Sequence, residues 1–230
     1  MTIYCITGAN RGIGLNLTRQ LLVRGETIIA TARDLDHATD LKTLAEKHTG
    51  KIDLFPLDVT SDMSVKAFAA SLSDRAIDVL VNNAGTIGAK PQTTASMNFD
   101  GFLDTLNTNT VGPLRVIQSL ISNLKRSSAP KIVTISSMMG SLSSAQSDTL
   151  AYRVSKAGVN KVMQAVDTDM KPQGVAVLTL HPGWVRTDMG GAGADIAPEE
   201  SASGIIARID ELNLNNSGRF LNYDGSVRAW

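Results

Sequence analysis

Short runs of β-branched and aliphatic residues alternate along the chain with longer stretches whose apolar residues recur at helical spacing. Runs such as Val79-Leu80-Val81 and Ile132-Val133 have almost no polar alternation, which is typical of parallel strands covered on both faces. The pattern predicts strands at 2–7, 27–32, 52–57, 77–82, 131–136 and 175–180, with a weaker seventh at 218–222.

Helices are predicted between these strands, at 12–23, 38–48, 62–73, 98–124, 150–170 and 198–212. Ser61-Asp62 precedes the third helix as a cap, and Pro198 with Glu199-Glu200 places proline and acids in a first turn. The alternation predicts an α/β fold, a doubly wound Rossmann-type parallel sheet of about seven strands with helices on both faces. No linker or repeat interrupts residues 1–230, so we expect one domain, with ligand-binding loops at 136–149 and 188–197.

Composition excludes several classes of protein. The 230 residues carry 22 Lys plus Arg and 22 Asp plus Glu, so a nucleic-acid coat or a polybasic membrane surface is not expected. Cys5 is the only cysteine, which rules out an intrachain disulfide and favours a reducing compartment, with Cys5 as a small core residue. With no secretory signal and no apolar run of membrane-spanning length, we expect a cytoplasmic protein without a bound metal.

A glycine-rich segment directly follows the first predicted strand and opens the first predicted helix. Residues 7–14 have the sequence TGANRGIG, so Gly8, Gly12 and Gly14 follow a GxxxGxG spacing. These glycines allow a tight turn and a close approach of the backbone to a pyrophosphate at the helix N-terminus. The segment lacks the GK[ST] ending of a P-loop, which disfavours nucleotide hydrolysis. A purely structural turn is the alternative interpretation.

The end of the second predicted strand bears on which dinucleotide binds. An acid there binds the ribose hydroxyls of NAD in dinucleotide folds, whereas a basic residue accommodates the 2′-phosphate of NADP. The position expected for the acid is Ala32, and Arg33 follows it. Arg11 in the glycine segment adds a second positive charge, so NADP(H) is favoured over NAD(H). The alternative for Arg33 is an ion pair with Asp34.

Tyr152 and Lys156 stand four positions apart on a predicted helix and so share one face. An ammonium beside a phenol favours the phenolate and lowers the pKa of the tyrosine from its usual value of roughly 10. A tyrosine of this kind can act as a general acid or base near neutrality. The pair has little weight alone, because Tyr and Lys occur at this spacing on many solvated helix faces.

Several segments occur together in one order along the chain. They are the glycine segment, Asn82-Asn83-Ala84-Gly85, Asn109 in NTNTVGP, Ser136-Ser137, YRVSK at 152–156 and His181-Pro182-Gly183. Together they resemble the short-chain dehydrogenase/reductase family over nearly the whole chain. The segments HPGWVRTDMGG (181–191) and FLNYDGSVRAW (220–230) are most similar to its C-factor-like and carbonyl-reductase-like members.

The resemblance implies roles for four catalytic residues. Tyr152 would exchange a proton with the substrate oxygen, while Lys156 lowers its pKa and holds the nicotinamide ribose. Ser137 would hydrogen-bond the substrate oxygen, although serines at 136, 141, 143 and 144 crowd the same stretch and only the family alignment selects it. Asn109 would sit in the long helix near Lys156 and support a water-mediated proton relay, with an ordinary polar helix residue as the alternative.

The resemblance also implies a cofactor site at the ends of successive strands. Asp58 and Val59 would meet the adenine, Asn83-Ala84-Gly85 the adenosine ribose, and Asn82 would clamp neighbouring strands. His181 is not expected to take part in the chemistry, because Tyr152 already fills that role. The full set of expected cofactor contacts is Gly8, Asn10, Arg11, Gly12, Ile13, Gly14, Arg33, Asp58, Val59, Asn83, Ala84, Gly85, Tyr152, Lys156, Pro182, Gly183, Val185 and Thr187.

Two departures from the family pattern concern the substrate side. Ser137 and Tyr152 are 15 positions apart, which predicts an extra bend near the active site. The segment 188–197 is short and consists mostly of small residues, so it offers little material for a lid over the substrate. An open cleft lined by Met138, Met139, Leu142 and Trp184 would suit varied carbonyl substrates, with core filling as the alternative for the methionine pair.

The leading hypothesis is an NADPH-dependent oxidoreductase that reduces a ketone or aldehyde carbonyl to an alcohol, or runs the reverse reaction. The alternative is an NAD(P)-binding signalling or regulatory protein of C-factor type with incidental catalysis. We expect a small-molecule substrate, no nucleic acid and no membrane, and a homo-oligomer, dimer or tetramer, formed through the helices at 98–124 and 150–170. Residues 223–230 would cap this chain's own pocket or that of a neighbouring subunit.

Overall fold

Seven parallel strands form one sheet in the order β3-β2-β1-β4-β5-β6-β7. The computed structural model describes residues 1–143 and 145–230; Ser144, in the predicted loop 136–149, lies outside the described residues. The strands are β1 Ile3–Ile6, β2 Thr27–Ala32, β3 Ile52–Pro56, β4 Val79–Asn82, β5 Lys131–Ile135, β6 Ala176–His181 and β7 Arg219–Asn222. The predicted doubly wound α/β fold is confirmed, including the weak seventh strand.

Helices cover both faces of the sheet, each over its own apolar core. The helices are α1 Gly12–Val23, α2 Thr39–Lys47, α3 Asp62–Leu72, α4 Phe99–Leu106, α5 Gly112–Leu124, α6 Leu150–Met170 and α7 Pro198–Glu211. Helices α1, α2 and α7 pack on one face, and α3, α5 and α6 on the other. Cys5 is fully buried in the second core, as predicted. No helix among the described residues combines the length and apolarity needed to cross a bilayer.

The predicted helix starts at α3 and α7 are confirmed. The Ser61 hydroxyl accepts a hydrogen bond from the Ser64 amide at 3.2 Å, which satisfies an amide of the first turn of α3. Pro198 is the first residue of α7, where its missing N–H costs no helical hydrogen bond.

The prediction of one regular helix over 98–124 was wrong, because a π-helical turn at Asn107–Val111 separates α4 from α5. Pro113 has no amide proton to donate back to the Asn109 carbonyl, so the regular ladder cannot continue there. The Gly112 amide instead donates to the Asn107 carbonyl, five residues back. Asn109 therefore lies in a widened turn, a feature that often marks functional positions.

A small hydrogen-bonded junction joins the carboxyl ends of β1 and β4, where the glycine segment begins. The Thr7 hydroxyl accepts hydrogen bonds from the amides of Asn83 and Ala84, both at 3.0 Å. The Asn83 side-chain amide donates in return to the carbonyls of Thr7 and Gly8, both at 2.9 Å. The junction fixes the glycine segment against the end of β4, at the edge of the sheet where folds of this kind bind ligands.

Replacing Thr7 with Val keeps the shape of the side chain but leaves both strand-end amides without their acceptor. We expect a loss of about 1–3 kcal/mol in the free energy of unfolding, because unpaired buried polar groups carry their desolvation cost. Urea unfolding measures the loss. Thr43→Val in the exposed face of α2 is the control and should stay within about 0.5 kcal/mol of the parent protein. Equal stability of the two variants would contradict the proposed importance of the junction.

Candidate active site

Tyr152, Lys156 and Ser137 come together at the carboxyl edge of β5. Tyr152 lies in the first turn of α6 and Lys156 in the second, and Ser137 comes two residues after β5 ends. All three are buried, with 8%, 6% and 7% of their surfaces exposed. The Lys156 Nζ lies 5.8 Å from the centroid of the Tyr152 ring and donates to the Ile135 carbonyl at 2.9 Å. The shared helix face predicted from the spacing of the pair is present.

The environment of Tyr152 differs from the one expected for it. Burial raises the pKa of the Tyr152 phenol, and a hydrogen bond with the Ser137 side chain works in the opposite direction. Lys156 was expected to lower the pKa of Tyr152, but the loss of hydration on burial outweighs the other effects on the phenol. The Lys156 ammonium itself donates to a backbone carbonyl. The phenol therefore keeps its proton at neutral pH.

Burial acts in the opposite sense on Lys156. Loss of hydration disfavours the ammonium and lowers the pKa of Lys156 to about 8. The lysine therefore carries its charge at neutral pH and loses it only slightly above. Perturbed titratable groups gathered in one dry place are typical of catalytic sites.

Asn109 holds the loop that follows β4. Its side-chain amide donates to the Thr86 carbonyl at 2.8 Å and to the Ser155 hydroxyl at 2.9 Å, while its Oδ1 accepts from the Thr86 amide at 2.9 Å. A Cβ placed on Gly85 would lie 3.2 Å from the Asn109 Oδ1 and 3.7 Å from the Lys156 Nζ. Asn109 and Lys156 thus converge on Gly85, as expected for neighbours, but the Asn109 side chain is fully engaged in protein contacts.

The loop carrying Ser137 is fastened to α6 by polar residues that the sequence did not single out. Ser136 donates to the Asn160 Oδ1 at 2.5 Å, and the Asn160 amide donates to the Gly140 carbonyl at 3.2 Å. A Cβ on Gly140 would overlap the Lys156 backbone, so the loop can pack this closely only with glycine there. Asn160 stands four residues after Lys156 on the same helix face, and a buried amide at that spacing is a signal in the sequence for its role.

The glycine segment has the geometry expected of an anion-binding turn. Gly8 has φ +66°, and a Cβ there would lie 3.0 Å from the Ala84 Cα. The first amides of α1, at Gly12, Ile13 and Gly14, have no acceptor within the helix. The side chain of Arg11, the residue before the helix, makes no capping hydrogen bond to them among the described residues. Asn10 is half-buried beside them. Free amides at a positive helix end suit a phosphate group.

The two arginines expected at a 2′-phosphate are in different situations. Arg11 pairs with Asp188, with the Arg11 NH1 3.0 Å from the Asp188 Oδ2. Arg33 is exposed and has no ion-pair partner within residues 1–143 and 145–230. The Asp34 carboxylate, the alternative partner for Arg33, instead contacts the His37 ring at 2.6 Å. Arg33 is therefore the guanidinium available to a ligand.

Asp58 and Val59 follow β3 close to Arg33. Burial raises the pKa of Asp58, but hydrogen bonds from Thr60 and the positive charge of Arg33 outweigh it and leave the pKa below its usual value. The Thr60 amide donates to the Asp58 Oδ1 at 2.9 Å. Val59 is buried, and its carbonyl accepts from Arg115 at 2.7 Å. The segment expected at the adenine is thus rigidly held and ionised.

The segment after β6 closes the other side of the site. Val185 pairs with Ile196, and the Pro182 carbonyl accepts from the Ser201 hydroxyl at 2.6 Å. A Cβ on Gly12 would lie 3.2 Å from the Thr187 Cγ2, so Thr187 contacts the glycine segment. Gly183 takes φ +85° between these contacts. The structure brings the predicted residues of this segment to the same edge as Tyr152 and the glycine segment.

Comparison with known proteins agrees with this architecture. The family model for short chain dehydrogenases matches residues 2–195. The chain belongs to the short-chain dehydrogenase family. It is 36% identical over 167 residues to the C-signal protein of Myxococcus xanthus, which covers 72% of this chain and 100% of that protein. It is also 36% identical over 238 residues to a 1-hydroxy-2-glutathionyl-2-methyl-3-butene dehydrogenase of Rhodococcus, covering 100% of both.

Solved structures place this short-chain dehydrogenase beside carbonyl reductases. The NADPH-bound carbonyl reductase from chicken fatty liver is 34% identical, with a TM-score of 0.93 and coverage of 100% of both chains. The family predicted from the ordered motifs, and its likeness to C-factor-like and carbonyl-reductase-like members, are confirmed.

His181 of this family member is buried at the end of β6, and its Nδ1 has no hydrogen-bond partner among the described residues. Burial and the nearby Arg228 lower the pKa of His181 to about 4, so the ring is neutral at physiological pH. Asn82 donates to Thr134 at 3.4 Å, joining β4 to β5 as expected of a clamp. That His181 takes no part in proton exchange with a substrate stays a prediction.

The C-terminal segment packs on the chain's own active-site loop. The Trp230 ring lies 5.4 Å from that of Phe220 in β7, and the Trp230 carbonyl oxygen accepts from the Leu142 amide at 3.2 Å. Residues 223–230 thus contact the loop that follows Ser137 in the same chain, and a role in capping a neighbouring subunit's pocket stays a prediction.

Proposed function

We propose that the protein is an NADP(H)-dependent oxidoreductase that converts a ketone or aldehyde into an alcohol, or catalyses the reverse reaction. The observation that carries the proposal is the burial of Tyr152, Lys156 and Ser137 together, with Lys156 close to Gly85 in the loop that holds the glycine segment. Perturbed groups of this kind at a ligand-binding sheet edge indicate acid–base chemistry. Similarity to an NADPH-bound carbonyl reductase supports the same conclusion.

The residues present fit a dinucleotide phosphate. The first-turn amides of α1 are available to the pyrophosphate, and Gly8 leaves room for it to approach the backbone. Arg33, which forms no ion pair among the described residues, follows Ala32 at the end of β2, which suits a 2′-phosphate and offers no acid to ribose hydroxyls. When bound, the nicotinamide ring supplies a hydride to the carbonyl carbon or accepts one from the alcohol.

The protein's own residues manage the substrate oxygen and its proton. In reduction, the protonated Tyr152 hydroxyl donates its proton to the oxygen as negative charge develops there. The Ser137 hydroxyl, which lies close enough to affect the pKa of Tyr152, stabilises that charge by a hydrogen bond. The charged Lys156 favours the phenolate that remains and holds a ribose hydroxyl. We assign Asn109 to the support of this arrangement through Thr86 and Ser155.

We propose apolar carbonyl compounds of varied size as substrates. Met138, Leu142 and Trp184 expose 45%, 84% and 52% of their surfaces, although each follows a predicted site residue closely along the chain. Apolar side chains left open to solvent around a reactive site bind apolar ligands with little discrimination of shape. Met139 is half-buried and does not share this exposure.

A regulatory protein of C-factor type is the second candidate, favoured by the similarity to the C-signal protein. It predicts NADPH binding without turnover of any carbonyl or alcohol compound.

Self-association through α4, α5 and α6 also stays a prediction, and the exposed Phe99, Leu103 and Val154 mark the surface proposed for it.

Removing the phenolic hydroxyl tests the proposed acid. With Tyr152→Phe we expect turnover of carbonyl compounds by NADPH to fall by a factor on the order of 10²–10⁴, because the proton donor is lost. Cofactor oxidation measured by absorbance gives the rate, and NADPH fluorescence confirms that the cofactor still binds. Tyr4→Phe, at a buried tyrosine of β1, serves as the matched control and keeps its activity. Unchanged turnover in Tyr152→Phe would exclude the assigned role.

Arg33→Ala tests the cofactor preference. We expect KM for NADPH to rise roughly tenfold or more, since a charge-assisted contact is worth about 1.5–3 kcal/mol, while KM for NADH stays nearly constant. Steady-state kinetics with both cofactors measure the change. Arg126→Ala, an exposed arginine paired with Asp74, provides the control. Equal losses with NADPH and NADH would show that Arg33 does not recognise the 2′-phosphate.

The pKa of Lys156 predicts how reduction depends on pH. Because this pKa is lowered to about 8, kcat/KM should hold steady below that value and decline as rising pH removes the ammonium proton. Lys156→Arg keeps a charge at high pH and should move the decline upward. Lys161→Arg, on the exposed face of α6, should leave the profile unchanged. A decline that stays in place in Lys156→Arg would assign it to another group.

A further inference from the structure

The catalytic helix α6 begins without a cap of its own. Thr149, the residue before it, takes a left-handed conformation with φ +48°, and its hydroxyl donates to Asp148 at 3.1 Å. Among the described residues the Thr149 side chain makes no bond to a first-turn amide. The first amides of a helix have no intrahelical acceptors and are costly when buried without partners. Tyr152 is one of these first-turn residues and is buried.

Gln92, 60 positions earlier in the chain, supplies the missing acceptors. Its backbone carbonyl accepts from the Leu150 amide at 3.2 Å, and its side-chain Oε1 accepts from the Tyr152 amide at 3.1 Å. One residue therefore caps the helix twice, and one of the two bonds ends on the backbone of the tyrosine itself. Gln92 lies in none of the motifs found in the sequence and is not among the predicted site residues.

The opposite end of the Gln92 side chain holds the loop that follows β4. Its Nε2 donates to the Ile87 carbonyl at 2.9 Å, and only 4% of the residue is exposed. Thr86, the preceding residue of that loop, is bound through both its amide and its carbonyl to Asn109. Gln92 thus links the start of α6 to the loop that continues from Asn83-Ala84-Gly85, on the cofactor side of the site.

We propose that Gln92 is a positioning residue that sets Tyr152 against the cofactor-side loop by capping α6 from outside the helix. The proposal rests on the proposed function of the site. Gln92 touches the backbone of Tyr152 and not its hydroxyl, so it acts through the placement of the helix start. Proton donors lose much of their effect when they are displaced by a fraction of the distance to the substrate oxygen.

Gln92→Met tests the proposal, because methionine fills nearly the same volume but neither accepts nor donates these hydrogen bonds. We expect kcat for carbonyl reduction to fall by a factor on the order of 10 to 100, with the dissociation constant for NADPH within about twofold of the parent value. Gln92→Glu keeps an acceptor for the Tyr152 amide at a positive helix end but loses the donor to the Ile87 carbonyl, so kcat should recover in part and stand clearly above that of Gln92→Met. A structural role alone does not predict this rescue.

Asn123→Leu is the matched control at the opposite edge of the sheet. Asn123 is 2% exposed, and its amide joins two loops by donating to the carbonyls of Ser73 and Arg75 at 2.9 and 2.7 Å. Its replacement removes an equally buried pair of hydrogen bonds far from Tyr152. We expect it to lower the melting temperature as Gln92→Met does, while kcat stays unchanged.

The outcomes distinguish the role of Gln92 from the proposed carbonyl reduction on which it rests. Parent protein that reduces no carbonyl compound contradicts the proposed function, whatever the variants do. Active parent protein with equal kcat in Gln92→Met and Asn123→Leu, or with no recovery in Gln92→Glu, contradicts the role of Gln92. If Gln92→Met does not fold, Gln92→Asn, whose shorter side chain withdraws the acceptor from Tyr152, takes its place with the same expected loss of kcat.

Discussion

Tyr152 and Lys156 lie buried within about one helical turn of each other, and the site depends on how the protein replaces the water that these groups lose. The Lys156 ammonium is held by the Ile135 carbonyl, and the Ser137 side chain partly offsets the effect of burial on the Tyr152 phenol. Burial pushes the two pKa values in opposite directions, upward for the phenol and downward for the ammonium. Both groups therefore hold their protons at neutral pH, so the Tyr152 phenol has a proton to donate to a carbonyl oxygen.

Several polar junctions at one sheet edge hold this buried pair in place. Thr7 and Asn83 fix the glycine segment to the end of β4. Asn160 fixes the Ser137 loop to α6. Asn109 lies in a π-helical turn and holds Thr86 by hydrogen bonds. A regular helix would orient the Asn109 side chain differently. Each junction uses an amide or hydroxyl whose hydrogen bonds are made within the protein, which favours a fixed arrangement of this edge.

The sequence predicts the sheet and its helices because continuous apolar strands and amphipathic helices leave strong periodic signals. It also places Tyr152, Lys156 and the glycine segment, since their spacing along one element is visible without tertiary structure. The π turn at Asn107–Val111 was missed because the sequence shows that Pro113 lacks an amide proton but does not show how the helix before it adjusts. The pairing of Arg11 with Asp188 and the capping by Gln92 join residues far apart in the chain, and no local pattern records such contacts.

The raised pKa of Tyr152 was missed for a related reason. From spacing alone, the nearest charge is Lys156, and a lowered pKa is the natural expectation. The depth of burial, which dominates in the folded protein, comes from α4, the Ser137 loop and α6 closing together, and only the tertiary structure contains it.

Transfer of an isotopic label distinguishes carbonyl reduction at this buried site from cofactor binding alone. The protein is mixed with an apolar ketone and NADPH carrying deuterium at the transferable position of the nicotinamide, and the alcohol is analysed by mass spectrometry. Hydride transfer at this site places one deuterium on the carbinol carbon, and the hydroxyl proton comes from the protein and solvent. NADPH that binds while the ketone remains unlabelled and unreduced across a broad panel of carbonyl compounds would contradict it.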